Sequence, residues 1–139
     1  MVNRFLKLQA VNLSIQASAL KSYFPDSTCK LTRMKLEWTG KISPSTLGEE
    51  YDIKLVYQWG NHPDVFVINR ELKLAADHYK LPHIYGSNEN QSLCLYYRKG
   101  REWRDYMLIA KTIIPWTSEW LWFYENWLAT GKWMGRGIH

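Results

Sequence analysis

Residues 51–68 read YDIKLVYQWGNHPDVFVI, and this stretch decides the fold. Apolar side chains occupy every second position from Tyr51 to Tyr57, which is typical of a strand with one buried face. Gly60-Asn61-His62-Pro63 are turn formers, and Asp64 to Ile68 is a second apolar run. The stretch therefore predicts two sequential strands joined by a short turn.

The residues before this pair of strands extend the pattern. Met34, Leu36 and Trp38 alternate with charged residues and predict another strand, followed by a Gly-, Pro- and Ser-containing loop at 39–48. From about Asn3 to Phe24, apolar residues recur at intervals of three or four and predict a helix with one buried face. Its predicted buried residues are Leu8, Val11, Ile15 and Ala19. The first half is therefore predicted as a helix followed by an antiparallel meander.

The residues after these strands form a long segment with little periodicity, from Arg70 to Tyr97. It contains Pro82, Gly86 and a polar run at 87–92. Irregular segments of this length in compact domains are often functional. We therefore expect the functional residues here.

The last third is predicted to be helical. Pro115 suits the first turn of a helix and Gly131 suits its end. Aromatic and aliphatic side chains lie at helical spacing between them, at Trp116, Trp120, Phe123, Trp127 and Leu128. We expect Trp116, Trp120 and Trp127 to pack over the sheet and Trp122 to face another way, where it would be a partner anchor if exposed. A shorter helix is predicted around Asp105 to Ala110.

Length and composition agree with one α+β domain over residues 1–139. The chain is 46% hydrophobic and 22% charged, which excludes collagen-like and low-complexity proteins. No apolar run is long enough to span a membrane. The N-terminal stretch is too polar for a signal peptide, and two cysteines favour a reduced, cytoplasmic protein over a secreted disulfide scaffold. The scattered His and Cys residues show no zinc pattern.

The net charge of +5 permits a nucleic-acid partner, an anionic lipid or an acidic protein. Base-stacking proteins interleave exposed aromatics with Lys and Arg, whereas the Trp residues here follow helical core spacing. Nucleic-acid binding is therefore the weaker hypothesis.

Cys94 is the main candidate nucleophile because it lies at the end of the irregular segment rather than inside a periodic element. Loops held by a scaffold are where reactive groups concentrate. A buried, structural cysteine is the alternative, and Leu93 and Leu95 beside it favour that alternative. Cys29 lies between a predicted turn and a strand, and we expect it to be structural.

The region around Cys94 resembles the active-site stretch of ubiquitin-conjugating enzymes. Pro82-His83-Ile84-Tyr85, a polar turn, Leu93-Cys94-Leu95 and downstream Trp103 match the order of that family's motifs. Two positions depart from the pattern, since Leu81 stands at the place of the family's His and His83 at that of its Asn. The resemblance implies the ubiquitin-conjugating (UBC-like) fold.

A narrower resemblance is to the bacterial ubiquitin-conjugating-like proteins of type II CBASS anti-phage operons, in their short form without an adenylating domain. It rests on six matching strings, at 93–97, 102–103, 112–116, 119–121, 123–125 and 127–131. The resemblance implies a transferase that forms a thioester through Cys94 with the C-terminus of a cGAS/DncV-like nucleotidyltransferase. It implies no cofactor and no metal.

In the family that this stretch resembles, the Asn donates a hydrogen bond to the oxyanion or orders the loop. His83, at its place, is a candidate for the same donor role and for acid or base catalysis. A loop histidine packed against Tyr85 or hydrogen-bonded to backbone is the structural alternative. Tyr85 and Tyr96 are interpreted as packing residues. The basic patch that begins at Arg98 is expected to favour the Cys94 thiolate modestly, although four residues is too far along the chain to assume contact. No Gly-rich phosphate loop is present, so the chain is not expected to activate a carboxylate with ATP by itself. Either another protein loads it, or the C-terminus of its partner enters by another route, such as exchange from an existing acyl or thiol bond. The competing hypothesis is a non-catalytic docking subunit on the same fold.

Overall fold

The computed structural model describes residues 8–86 and 91–135. It is an α+β protein with an N-terminal helix, a four-stranded antiparallel sheet and a C-terminal helix. The elements in chain order are α1 (Leu13–Tyr23), β1 (Thr28–Leu31), β2 (Lys35–Ile42), β3 (Tyr51–Gln58), β4 (Asp64–Ile68), β5 (Ile84–Tyr85), β6 (Ser92–Leu93), a 3-10 turn (Ile109–Lys111) and α2 (Ile113–Thr130).

The large sheet has the order β1-β2-β3-β4, with each strand antiparallel to its neighbour. The predicted alternation of β3 is confirmed, because Tyr51, Ile53, Leu55 and Tyr57 are all fully buried. The intervening polar residues face the other side of the sheet, as the two-residue period of a strand requires. One face of the meander thus forms the core.

Two predictions about the sheet's first half are wrong. Residues 28–31 form the edge strand β1, which sequence patterning missed because its side chains are mostly exposed. Strand β2 continues through Gly40 to Ile42 instead of ending at Trp38. Gly40 fits this strand because the Trp38 ring lies so close that a side chain at position 40 would collide with it.

The N-terminal helix is present but begins later than predicted. Residues 8–12 are not helical, and the predicted start at Asn3 lies outside the described residues. The side chain of Asn12 accepts a hydrogen bond from the backbone N–H of Ile15 at 2.9 Å and caps the helix. The helix therefore buries Leu13, Gln16 and Leu20, whereas Ile15, predicted to be buried, is 53% exposed.

The C-terminal helix has the predicted limits. It begins at Ile113 with Pro115 in its first turn, and it ends at Gly131, whose left-handed φ of 76° a glycine adopts without strain. The shorter helix predicted at 105–110 is wrong, since only the 3-10 turn at Ile109–Lys111 forms. Backbone groups of Met107 and Ile109 bond instead to the side chain of Gln16 on α1.

Aromatic side chains of α2 contact the irregular segment that joins β4 to the C-terminal part. The ring of Trp116 packs against Tyr96, and the ring of Trp127 packs against His78. The hydroxyl of Tyr124 accepts a hydrogen bond from the backbone N–H of Lys73 at 2.7 Å. These contacts hold the segment against the helix. Within the described ranges, no helix is long and apolar enough to cross a membrane.

Candidate functional site

Cys94 and His83 come together through a small hairpin. Strands β5 and β6 pair antiparallel, with Ile84 opposite Leu93. Cys94 directly follows β6, and its backbone N–H donates to the carbonyl of His83 at 2.9 Å. The two residues that sequence analysis singled out are thus neighbours across a strand pair, although eleven positions separate them in the chain.

The backbone at His83 is left-handed, with φ of 53°. Among non-glycine residues, Asn, Asp and His are enriched in this conformation. His83 is therefore of a residue type suited to this backbone conformation, as an Asn at the same position would be. This conformation directs the His83 carbonyl toward two donors, the N–H of Cys94 and the indole Nε1 of Trp120, each at 2.9 Å.

A cleft of about 330 Å³ opens beside Cys94 and His83. Its walls are mostly aromatic, with two carboxylates among them. The other lining residues are Leu95, Glu102, Trp116, Glu119, Trp120, Phe123 and Trp133. The His83 ring faces the Trp133 ring, with 4.9 Å between their centres. The cleft is therefore lined mostly by aromatic and aliphatic residues, with Cys94 among them.

The thiol of Cys94 is held in a buried position and is only 4% exposed. Its Sγ donates to the Tyr85 hydroxyl at 3.2 Å and more weakly to the Tyr96 carbonyl at 3.7 Å. Burial raises the pKa of Cys94, and the Tyr85 hydroxyl and the Arg98 charge oppose that rise. At neutral pH the thiol form therefore predominates.

The contact of Tyr85 with the sulfur, and the position of Arg98 over the Tyr85 ring, are the features that the sequence did not reveal. Tyr85, predicted to be a packing residue, contacts the sulfur directly. The Arg98 guanidinium lies 4.6 Å from the centre of the Tyr85 ring, and it donates to the Pro63 carbonyl and to Asp64 Oδ1 at 3.0 and 2.9 Å. The only signal in the sequence was the basic residue four positions after Cys94. It gives no indication that the Tyr85 side chain contacts both Arg98 and Cys94.

The remaining residues of interest are accounted for by packing. Leu81, at the place of the family's His, is buried in the core at 7% exposure, where an imidazole would lose its hydration. His62 Nδ1 and the Tyr96 hydroxyl share a hydrogen bond of 2.6 Å. Cys29 is half-buried in β1 opposite Trp38, in agreement with a structural role. In the part of the chain that the structure describes, no three His, Cys, Asp or Glu side chains cluster as a metal site would require.

Comparison with known proteins gives one family. The family model described as Type II CBASS E2 protein matches residues 16–139, which includes the hairpin, Cys94, the cleft and α2. This match confirms the resemblance to the conjugating-like proteins of type II CBASS operons. No curated protein matches the chain.

Proposed function

Since the chain belongs to the family of type II CBASS E2 proteins, we propose that it is a ubiquitin-conjugating-like transferase with a UBC-like fold. Family membership gives it a role in type II CBASS anti-phage defence together with other CBASS components. The proposal adds the chemistry, in which Cys94 carries the C-terminus of a partner protein as a thioester. The observation that carries it is the position of Cys94 in the wall of the cleft.

The shape and chemistry of the cleft support an extended peptide tail as the cargo. Aromatic side chains in the wall, such as Trp116 and Phe123, can pack against an extended main chain. A protein C-terminus reaches such a place because it is a free end. The sulfur in the wall then lies next to the terminal carbonyl.

Loading requires a carboxyl group that is already activated, as a thioester on another protein or as an acyl adenylate. The Cys94 thiolate attacks the carbonyl carbon, a new C–S bond forms, and the thiolate or adenylate of the donor leaves with the electron pair. In transfer, an amine attacks the same carbon, the C–N bond forms, and the C–S bond breaks to return Cys94 as a thiolate. The amine proton passes to water.

The partner in this proposal is a cGAS/DncV-like nucleotidyltransferase, joined through its C-terminus. The support is family membership, because a type II CBASS protein acts with other components of that system. His83 has a proposed catalytic part as well, since its ring lines the same cleft as the sulfur. An imidazole there can donate a hydrogen bond to a developing oxyanion or transfer a proton near neutral pH.

Intact mass spectrometry tests the thioester directly. The protein is mixed with the nucleotidyltransferase encoded beside it and with lysate from the same host as a source of the activating protein. A covalent adduct is expected that hydroxylamine and thiols both cleave. Cys94→Ala should give no adduct, Cys94→Ser an adduct that thiols do not cleave, and Cys29→Ser the same adduct as the wild type. An adduct removed by phosphine reductant but stable to hydroxylamine would be a disulfide and would contradict the proposal.

A docking subunit without catalysis is the second candidate function. The 4% exposure and the raised pKa of Cys94 favour it, because a carrier thiol must be reached and ionised. Under this alternative, Cys94→Ala binds the nucleotidyltransferase as tightly as the wild type and also keeps full phage protection in cells. Loss of protection with unchanged affinity would favour the transferase instead.

A further inference from the structure

The Tyr85 hydroxyl lies between the Cys94 sulfur and the backbone carbonyl of Tyr96. It lies 3.2 Å from Cys94 Sγ and 3.3 Å from the Tyr96 carbonyl oxygen. A phenol has one proton and can also accept. While Cys94 is a thiol, its S–H donates to the Tyr85 oxygen, and the Tyr85 proton points to Tyr96. Once the thiol ionises, that proton can turn to the sulfur without any movement of heavy atoms.

Burial makes such a donor necessary for this sulfur. A thiolate at 4% exposure has few water molecules to solvate it, so its charge must be met by protein groups. Of the side chains that favour the ionised form, the Tyr85 hydroxyl contributes most, ahead of the Arg98 charge. The side chain that contacts the sulfur is therefore also the strongest local support for its charge.

Arg98 supports the role of Tyr85 as a hydrogen-bond donor to the sulfur. Its guanidinium is fixed by Pro63 and Asp64 and lies over the phenol ring at 4.6 Å. A cation at a ring face withdraws electron density, which strengthens the O–H as a donor. Burial raises the pKa of Tyr85 to about 12, so the hydroxyl keeps its proton through the neutral and mildly alkaline range.

We propose that Tyr85 is a catalytic residue whose hydroxyl donates a hydrogen bond to Cys94 Sγ whenever the sulfur carries negative charge, with Arg98 as its positioning residue. The inference rests on the proposed function of Cys94. In loading, the hydrogen bond stabilises the attacking thiolate. In transfer, the electron pair of the breaking C–S bond returns to Sγ, and the Tyr85 hydroxyl meets that charge as it forms. Tyr85 stays protonated throughout.

The titration of Cys94 also depends on the other charged groups around the sulfur. Glu102 opposes ionisation, and Glu119 and His83 line the same cleft. On the side of the phenol, Arg98 is balanced by Asp64. A change confined to the Tyr85 hydroxyl leaves all of these groups in place, which makes Tyr85→Phe the informative substitution.

Alkylation of Cys94 by iodoacetamide between pH 6 and 10 tests the hydrogen bond without any partner. The measurement uses Cys29→Ser as background, so that one thiol reacts. Tyr85→Phe keeps the ring under Arg98 and removes the donor, so the profile should move up by about one pH unit, which is about a tenfold slower reaction at neutral pH. Tyr97→Phe, a neighbouring exposed tyrosine, is the matched control and should not move the profile.

Discharge of the preformed Cys94 thioester to free lysine tests the second half of the inference. Tyr85→Phe should slow discharge about tenfold, again with Tyr97→Phe unchanged. If Tyr85→Phe folds poorly, 3-fluorotyrosine at position 85 gives the opposite test. Its more acidic phenol is a stronger donor, so it should move the alkylation profile to lower pH.

The outcomes separate this inference from the proposed function. A wild-type protein that forms no thioester contradicts the proposed function, while the alkylation profile still decides whether Tyr85 supports the thiolate. A thioester that forms normally, with Tyr85→Phe equal to the wild type in both alkylation and discharge, overturns the inference alone. An unmoved profile with 3-fluorotyrosine overturns it as well.

Discussion

The indole Nε1 of Trp120 donates a hydrogen bond of 2.9 Å to the backbone carbonyl of His83. The same carbonyl also accepts a hydrogen bond from the backbone N–H of Cys94. One oxygen atom of His83 therefore links Cys94 to the C-terminal helix. The Trp120 ring also stacks on Tyr124 within the helix. The position of Cys94 therefore depends on a side chain 26 residues further along the chain.

Replacing Trp120 by phenylalanine should lower the free energy of unfolding by about 1–3 kcal/mol. The change removes a buried donor and part of a ring that is 4% exposed, and both losses destabilise. Urea unfolding measures it. Trp122→Phe is the matched control on the same helix, and at 44% exposure it should change stability by less than about 0.5 kcal/mol. Equal stability of the two variants would show that the bond to His83 contributes nothing.

The backbone at His83 predicts an order of stability among substitutions. His83→Asn should stay within about 0.5 kcal/mol of the wild type, because Asn tolerates a positive φ. His83→Val should cost about 1–3 kcal/mol, because a β-branched side chain is strained there. Thermal unfolding checks the order. A valine variant as stable as the asparagine variant would contradict the left-handed conformation.

The sequence predicted best the elements whose residues follow their own local pattern. Alternation and the turn at Gly60 were sufficient for β3 and β4, and Pro115 and Gly131 were sufficient for α2. The predictions were wrong where contacts between residues distant in the chain determine the local backbone structure. Residues 105–110 are apolar enough for a helix, yet two of their backbone groups bond to Gln16 on α1.

The sequence predicted which two residues lie at the site, but it did not predict the contacts around them. Resemblance singled out Cys94 and His83, and the structure places both at one cleft, although their catalytic parts stay predictions. The contact of Tyr85 with Cys94 follows from the register of a two-residue hairpin, which no residue pattern determines. The place of Arg98 over Tyr85 depends on Asp64 in β4, 34 positions earlier.

Gln16 should prove essential for the junction between α1 and the 3-10 turn. Its side chain is fully buried, donates to the Met107 carbonyl and accepts from the Ile109 N–H, both at 2.9 Å. Gln16→Leu keeps the size but leaves two buried backbone groups unpaired, so we expect a loss of about 2–5 kcal/mol. Urea unfolding against Ser18→Ala, an exposed position on α1, measures it. A loss below 1 kcal/mol would mean that water replaces both bonds.

Glu102 should influence the ionisation of Cys94 in the opposite direction to Tyr85. Burial is the main cause of the raised pKa of Cys94, and the Glu102 carboxylate adds to it, because a second negative charge nearby is unfavourable. Glu102→Gln therefore lowers the pKa, and the alkylation profile should move to lower pH by less than one unit. Glu50→Gln, at an exposed site before β3, should leave the profile unmoved. A shift to higher pH with Glu102→Gln would contradict the assignment.

Trp122 is the side chain we expect to anchor the partner. It lies on the cleft-bearing helix but is 44% exposed, with its ring edge against Phe123, and exposed tryptophans are enriched at binding hot spots. Trp122→Ala should weaken binding to the nucleotidyltransferase by about 2 kcal/mol, or about 30-fold, in calorimetry. The alkylation profile of Cys94 should not change, because Trp122 does not line the cleft.

Trp59→Ala, at 36% exposure beyond the end of β3, is the matched control and should bind as the wild type does. Equal affinity of the two variants would move the interface away from α2, and equal loss would indicate general apolar adhesion instead of an anchor.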